Sequence, residues 1–454
     1  SYQRLAFNPL PEVNTARHIM TKARLDGLLL LLLGSAMFVL SGAAMEHIAA
    51  GSMQDFKGIY YSTRCLLEHC DPYSQDQLLH VFLAEGGEHV MAPAQRQVVT
   101  LCVYFPTVFI FLAPFAVMAW GPAHLLWMIL TAASLIVAAY LIWSLGANEA
   151  PRLSGVLIGL LLVFSAGLML NGNSAGIAVS LCVIAVWCFL RERFVWAGVL
   201  CLAASLAIKP HDAGLVWLYF LLAGGVMRKR ALQTLAITAL LGLPAVLWVS
   251  QVSPHWLHEL QYNQVVAAAH GGLSDPRPDA VGSGTAAMMT NLQTVFSMFW
   301  DDARVYDLVT YCVCGALLLV WVVITLRSEQ TRARTWLALA AIAALSMLPV
   351  YHRPHDARLL LLTIPACAIL WAEGAAIRWF ALALNFAGIV LTGDLPLALL
   401  VHLVNGLHMN SAGMMGRALT IVLTRPAPLI LTAIGVFYLW VYVKHCGNIA
   451  QDQS

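Results

Sequence analysis

The chain has 454 residues, 60% of them hydrophobic and only 11% charged, with a formal net charge of +2 and a mean hydropathy of +0.77. A soluble surface carries about 25% charged residues, so composition excludes a soluble globule, a disordered chain and a nucleic-acid binder. It predicts an all-α polytopic membrane protein.

A spanning helix needs about 20 mostly apolar residues. Twelve such runs are predicted: Leu25–Met45, Ala123–Leu145, Leu153–Leu170, Ser174–Leu190, Phe194–Ile208, Ala213–Met227, Ala231–Ser250, Val305–Leu326, Thr335–Val350, Leu359–Trp371, Trp379–Leu400 and Leu419–Val443. The first follows Arg4, Arg17, Lys22 and Arg24 and reads as an uncleaved anchor rather than a signal peptide. Basic clusters at the N-terminus, Arg191–Arg193, Arg228–Arg230, Arg327–Arg334, Arg378 and Lys444 fall on every second loop from residue 146 onward. By the positive-inside rule both ends are expected in the cytoplasm. The loops Asn171–Asn173, Lys209–Asp212, Gln251–Arg304, Tyr351–Arg358 and Val401–Arg417 are then expected to face outward. Val98–Trp120 is apolar enough to span, yet a single crossing there would invert every later loop. Pro106 and Pro114 interrupt it, so a broken or re-entrant element that starts and ends outside is expected.

Two outer loops, 46–97 and 251–304, are large. Transporters keep loops short and carry repeated halves; no such repeat is evident here, and the layout suits chemistry at the outer face. In the first loop, Asp55 opens the run Asp55-Phe56-Lys57-Gly58-Ile59-Tyr60-Tyr61. A carboxylate held among aromatics beside the bilayer is partly desolvated and suited to take a proton from a hydroxyl. The competing reading is a helix cap or a pair with Lys57. Asp71-Pro72-Tyr73 reads as a structural turn, and Tyr60 to Leu67 suit an amphipathic helix lying on the membrane surface. Of the ten cysteines, those in apolar runs, such as Cys182 and Cys367, read as small fillers. Cys65 and Cys70 sit in a polar loop and are expected to pair only if that loop faces an oxidising compartment.

Lys209-Pro210-His211-Asp212 opens one span, and Arg353-Pro354-His355-Asp356 opens another 144 residues later. Proline suits a first helical turn, whose free N–H groups beside a cation form an anion site, with phosphate the usual anion. His352, Arg358 and Tyr351 add donors to the second. The competing reading has Lys209 and Arg353 snorkelling to headgroups while Asp212 and Asp356 cap helices. Asn171-Gly172-Asn173 is a third outward turn. The histidines do not fall at zinc spacing, and neither a His-Glu-x-x-His motif nor a Gly-rich nucleotide loop is present, so no metal and no cofactor is expected.

Taken in order, Asp55-Phe56 with Tyr60-Tyr61, then Asp71-Pro72-Tyr73, the Asn171–Asn173 turn and Lys209-Pro210 resemble the GT-C superfamily of membrane glycosyltransferases. The turn and the Lys-Pro motif are similar to family 87, the polyprenyl-phosphate-mannose-dependent group. The family usually has Gly-Gln in the turn and often Lys-Pro-Gln where this chain has Lys-Pro-His. The resemblance implies a GT-C-like fold with residues 25–400 as the transmembrane catalytic module. Residues 1–24 would then form a cytoplasmic segment, and 401–454 the last outer loop, last span and tail. It implies an inverting hexosyltransferase at the periplasmic or exterior face of the cytoplasmic (inner) membrane, among membrane lipids. The donor would be a polyprenyl-phosphate-linked sugar and the acceptor a lipid or glycan. Asp55 would be the base. Lys209, His211, His352, Arg353, His355 and Arg358 would hold the donor phosphate, and Tyr60, Tyr61, Asn171 and Asn173 would contact substrate. A polysaccharide ligase or polymerase, or a flippase of an anionic lipid, remains the alternative, and no nucleic-acid partner is expected.

Overall fold

The computed structural model describes residues 14–49, 51–87, 93–278, 288–374, 376–406 and 413–452. Arg4, the Arg17 side chain, Glu88 and Gly282–Gly284 lie outside the described residues. Among those described the protein is entirely helical. Six helices are long and apolar enough to cross a membrane: Thr21–Ile48, Trp120–Gly146, Pro151–Asn171, Gly225–Val252, Ala303–Arg327 and Pro426–Cys446. Ile377–Leu391 and Asp394–Leu400, bent by 73°, add a seventh when read as one broken span. Leu25, Leu29, Leu40, Leu240, Leu247 and Leu319 point outward from these helices and are more than half exposed, as lipid-facing side chains are. The protein is therefore a multi-pass membrane protein. Several predicted spans are shorter than expected. Ala175–Arg191 and Val195–Ile208 have 17 and 14 residues, which at 1.5 Å each reach about 25 and 21 Å, short of the roughly 30 Å hydrocarbon core.

The first helix, α1 (Asn14–Ile48), is followed by α2 (Gln54–Leu67), α3 (Gln75–Ala84), α4 (Pro93–Thr100) and α5 (Thr107–Ala116). The Val98–Trp120 stretch is broken as expected, by a non-helical segment at 101–105. Then come α6 (Trp120–Gly146), α7 (Pro151–Val163), α8 (Gly167–Asn171), α9 (Ala175–Arg191), α10 (Val195–Ile208), α11 (Pro210–Leu222) and α12 (Gly225–Val252). The loop 251–304 carries α13 (Trp256–Ala268) and the short α14 (Gln293–Phe296), before α15 (Ala303–Arg327) and α16 (Arg332–Leu345). A 3-10 segment (Asp356–Leu362) leads into α17 (Thr363–Glu373), and α18 (Ile377–Leu391), α19 (Asp394–Gly406), α20 (Gly413–Thr424) and α21 (Pro426–Asp452) complete the chain.

Helices in lipid gain nothing from hiding apolar surface from one another, so close contact must come from small residues. α1 and α7 meet on glycine. A Cβ on Gly34 would stand 2.6 Å from the Gly159 Cα, and one on Gly155 would stand 2.4 Å from the Gly27 carbonyl oxygen. At the same end Arg152 pairs with Asp26 at 2.6 Å.

The predicted surface helix is corrected: α2 is packed nearly all round, with Phe56, Ile59, Tyr60, Tyr61, Cys65 and Leu66 buried. It lies between α5 and α4, tied to the former by Tyr60 Oη to the Met118 carbonyl (2.8 Å) and Arg64 to the Ala116 carbonyl (2.8 Å). Cys65 and Cys70 form a disulfide that closes the turn after it. Asp71 makes its turn, its carboxylate accepting the Tyr73 N–H at 2.9 Å.

Candidate active site

The Asn171-Gly172-Asn173 turn is what positions Asp55. Gly172 has φ +63, and a Cβ there would stand 2.7 Å from the Phe56 Cβ. Only glycine permits both that conformation and that approach. The Gly172 carbonyl accepts the Trp127 indole N–H at 2.9 Å, and the preceding Leu170 carbonyl accepts the Met53 N–H at 2.7 Å. Phe56 stacks on Trp127 with ring centroids 4.5 Å apart. The first turn of α2 is thus clamped to the turn, and Asp55, half-buried, accepts the Asn173 side-chain N–H at 2.7 Å.

Lys209 ends α10, and Pro210 opens α11 at its first position, as the motif predicts. The Arg353-Pro354 motif differs, because it opens the 3-10 segment rather than an α-helix. The two motifs clasp each other. The Lys209 ammonium donates to Asp356 Oδ1 and stands 3.6 Å from Asp212 Oδ2, while Asp356 Oδ2 accepts the Arg353 backbone N–H at 2.8 Å. Lys209 therefore does not snorkel to headgroups; its long stem and charge are buried against two carboxylates.

The histidines complete the cluster. The rings of His211 and His352 lie edge to face at 4.8 Å, and His352 Nε2 is 3.4 Å from Asp212 Oδ1. His355 Nε2 pairs with the Asn171 amide at 3.2 Å, and its Nδ1 lies 3.5 Å from Asp394 Oδ1. Arg353 donates to the Leu273 carbonyl at 3.1 Å, which fastens the loop 251–304 to the site, and to the Tyr351 hydroxyl. The charge of Asp55 acts on Arg353, His355 and Tyr104. Asp55, the asparagine turn and both cationic motifs therefore belong to one network drawn from four regions of the chain.

Three predicted residues sit elsewhere. Tyr60 and Tyr61 are core rather than substrate contacts, buried in a ring cluster with Phe56, Phe82 and Trp120. Burial pushes the Tyr61 phenol up to about 12. Arg358 lies behind the network. One terminal nitrogen donates to the Pro354 and Thr392 carbonyls at 3.1 and 3.0 Å, and the residue is buried, so it braces the loop instead of facing a phosphate. Asn171 and Asn173, expected to contact substrate, hold His355 and Asp55.

Two residues escape sequence reasoning. Asp394 accepts the Gly167 N–H at 3.0 Å, while its own N–H goes to the Phe164 carbonyl at 3.1 Å. It thereby satisfies the broken backbone between α7 and α8 that lipid could not. A lone carboxylate inside an apolar run was its signal. Tyr104 lies in the non-helical segment before α5 and carries no motif.

The sequence model of glycosyltransferase family 87 matches residues 103–351, more than half of the chain. The match takes in the Asn171–Asn173 turn and Lys209–Asp212, stops just before His352, and leaves Asp55 upstream. No curated protein and no solved structure matches the chain.

Proposed function

The chain belongs to glycosyltransferase family 87, and from that premise we propose an inverting transferase that takes mannose, or another hexose or pentose, from a polyprenyl-phosphate donor. An acceptor hydroxyl, on a lipid or glycan, attacks the anomeric carbon opposite the phosphate. The bond between that carbon and the phosphate oxygen breaks, Asp55 takes the hydroxyl proton, and polyprenyl phosphate leaves. Arg353, Lys209 and the histidines stabilise the charge that builds on it. An ammonium has three donors, so Lys209 can serve the phosphate while still bound to Asp356.

One observation carries the reading: the Asp55 carboxylate, held by Asn173, lies within electrostatic reach of Arg353 and His355. A polysaccharide ligase would need the late Arg and His alone, and the bond from Asn173 to the early carboxylate favours the transferase. A second feature supports a lipid-borne donor. An apolar groove lined by Leu292, Val295, Phe296, Leu429, Phe437 and Trp440 is tied to the site through the chain before it, where the Thr290 N–H, two residues ahead of Leu292, donates to the His352 carbonyl at 3.0 Å. The proposed orientation has twelve crossings, both ends in the cytoplasm and the site facing the periplasm or exterior. The Cys65–Cys70 disulfide supports an oxidising compartment on that side.

The test is transfer by protein reconstituted in liposomes with an extract of native membrane lipids as acceptor. Radiolabelled polyprenyl-phosphate sugars are supplied one at a time. Label should move from one of these donors with wild-type protein and not with Asp55→Asn. Transfer from a nucleotide sugar in the absence of any polyprenyl-phosphate donor would overturn the reading.

A further inference from the structure

We propose that His211, Asp212, His352 and Asp356 bind a divalent transition-metal ion such as Zn²⁺ or Mn²⁺. One ligand atom from each of the four lies within 4.8 Å of every other; two metal–ligand bonds of about 2.1 Å span at most about 4.2 Å, so the side chains would draw in slightly around a bound ion. Two imidazoles and two carboxylates form a borderline donor set, suited to these ions and poorly matched to Ca²⁺ or Mg²⁺.

The second observation is what the cluster leaves unsatisfied. Asp212 is 2% exposed and His352 is fully buried, yet both Asp212 carboxylate oxygens and His352 Nε2 lack a hydrogen-bond partner. Buried polar atoms are nearly always satisfied. His352 Nδ1 faces the Val350 carbonyl at 2.9 Å, which assigns the ring proton to Nδ1 and turns the Nε2 lone pair towards Asp212. Two acceptors 3.4 Å apart repel unless a proton or a metal ion lies between them, and the nearest cation, the Lys209 ammonium, stands 3.6 Å from the other Asp212 oxygen. A carbonyl orienting the far nitrogen of a ligand histidine is the usual arrangement behind a bound metal. His211, partly exposed at 37%, leaves the ion a way in. Sequence spacing hides the site, because its two halves lie about 140 residues apart and meet only when α11 packs against the loop before the 3-10 segment. An ion here would lie next to Lys209 and the phosphate of the proposed reaction; that placement rests on the proposed function, whereas the metal site does not.

The test uses the full-length protein purified in detergent, stripped with EDTA and dialysed against ZnCl₂ or MnCl₂, with metal counted by mass spectrometry. One ion per chain is expected at saturation, and thermal stability should rise with it. Asp212→Asn and His352→Gln should each weaken binding at least about tenfold, while His355→Gln, next to the cluster and outside it, should retain the ion. If those variants do not fold, Co²⁺ added to stripped wild-type protein serves instead, and should give visible d–d absorption with bound nitrogen ligands. An imidazolium at His352 simply paired with Asp212 predicts no saturable uptake of Zn²⁺, Mn²⁺ or Co²⁺, and that result would overturn the proposal. Metal counting needs no sugar substrate, so a failed transfer assay would count against the function and not against the site.

Discussion

Asn173 donates its side-chain N–H to Asp55 Oδ2 at 2.7 Å, while its own side-chain oxygen accepts the Ala175 N–H at 2.9 Å. The second bond fixes which way the amide points, so the first is not free to flip. One carboxylate oxygen is thereby held and the other is left to receive a proton. Asp55→Asn should abolish transfer at normal membrane levels, a loss of roughly 10²–10⁴-fold or more. Asn173→Ala removes only the positioning. It should lower kcat about tenfold with KM little changed, and full kcat in that variant would show that Asp55 needs no holder.

The contact between α1 and α7 predicts a purely structural failure. Gly34 and Gly159 leave no room for a side chain on either helix, and overpacking a tight contact costs about 1–3 kcal/mol or more. Gly159→Leu should reduce the monodisperse fraction on size exclusion and lower the melting temperature. A distant lipid-facing change such as Leu240→Ala, at an exposed position, should do neither.

Asp71 supplies a pH dependence. It hydrogen-bonds with Glu259 of α13, whose carboxylate also accepts the Ser253 hydroxyl at 2.9 Å. Burial, followed by the neighbouring Glu259 carboxyl, pushes the Asp71 carboxyl from 3.8 up to about 6 against the opposing Tyr73 N–H. The fold thus favours the protonated acid. Its contribution is full below the ordinary value and is lost as pH rises through the raised one. Melting temperatures taken from pH 4 to pH 8 should therefore fall less steeply in Asp71→Asn, which keeps the Tyr73 contact. Parallel curves for the two proteins would refute the pairing.

Much of this site was legible as residue types, and little of it as connections. Asp55, Lys209 and Arg353 each carry a local signal: an acid beside the first long helix, and a cation before proline at a helix start. The bond from Lys209 to Asp356 spans 147 positions, and no periodicity encodes it. Tyr60 and Tyr61 misled for a related reason. An aromatic beside a carboxylate reads the same from sequence whether it lines a pocket or fills a core, and only the packing of α5 and α6 around α2 decides. Helix length failed at α9 and α10, which are too short to cross the hydrocarbon core alone, whereas the break between α7 and α8, satisfied by Asp394, leaves Pro151–Asn171 long enough to span.

The proposed orientation can be read directly. Ser274 lies in the loop 251–304, next to the Leu273 carbonyl that holds Arg353, and Ser328 follows α15 at its opposite end. In a cysteine-free variant, Ser274→Cys should react with a membrane-impermeant maleimide in intact cells. Ser328→Cys should react only after permeabilisation. Labelling of Ser328→Cys in intact cells would invert the topology and place the site on the cytoplasmic side.

The clasp between Lys209 and Asp356 separates stability from donor use. Both side chains are buried, and removing one member of a buried pair strands the other charge, typically at about 3–5 kcal/mol. Lys209→Ala should therefore lower both folded yield and transfer, so loss of activity alone says nothing about phosphate. Lys209→Met combined with Asp356→Leu removes that pair and fills the space, leaving Asp212 to His352 at 3.4 Å, and such replacement of a buried pair often restores stability. If Lys209 also contacts the donor phosphate, that double variant should fold yet use the donor about 10- to 150-fold less well, the worth of one charge-assisted contact. Lys209→Arg should keep the pair but recover only part of the rate, because a planar guanidinium aims its donors differently from an ammonium. A stable double variant with near-normal transfer would confine Lys209 to a structural role and leave Arg353 as the cation that meets the phosphate.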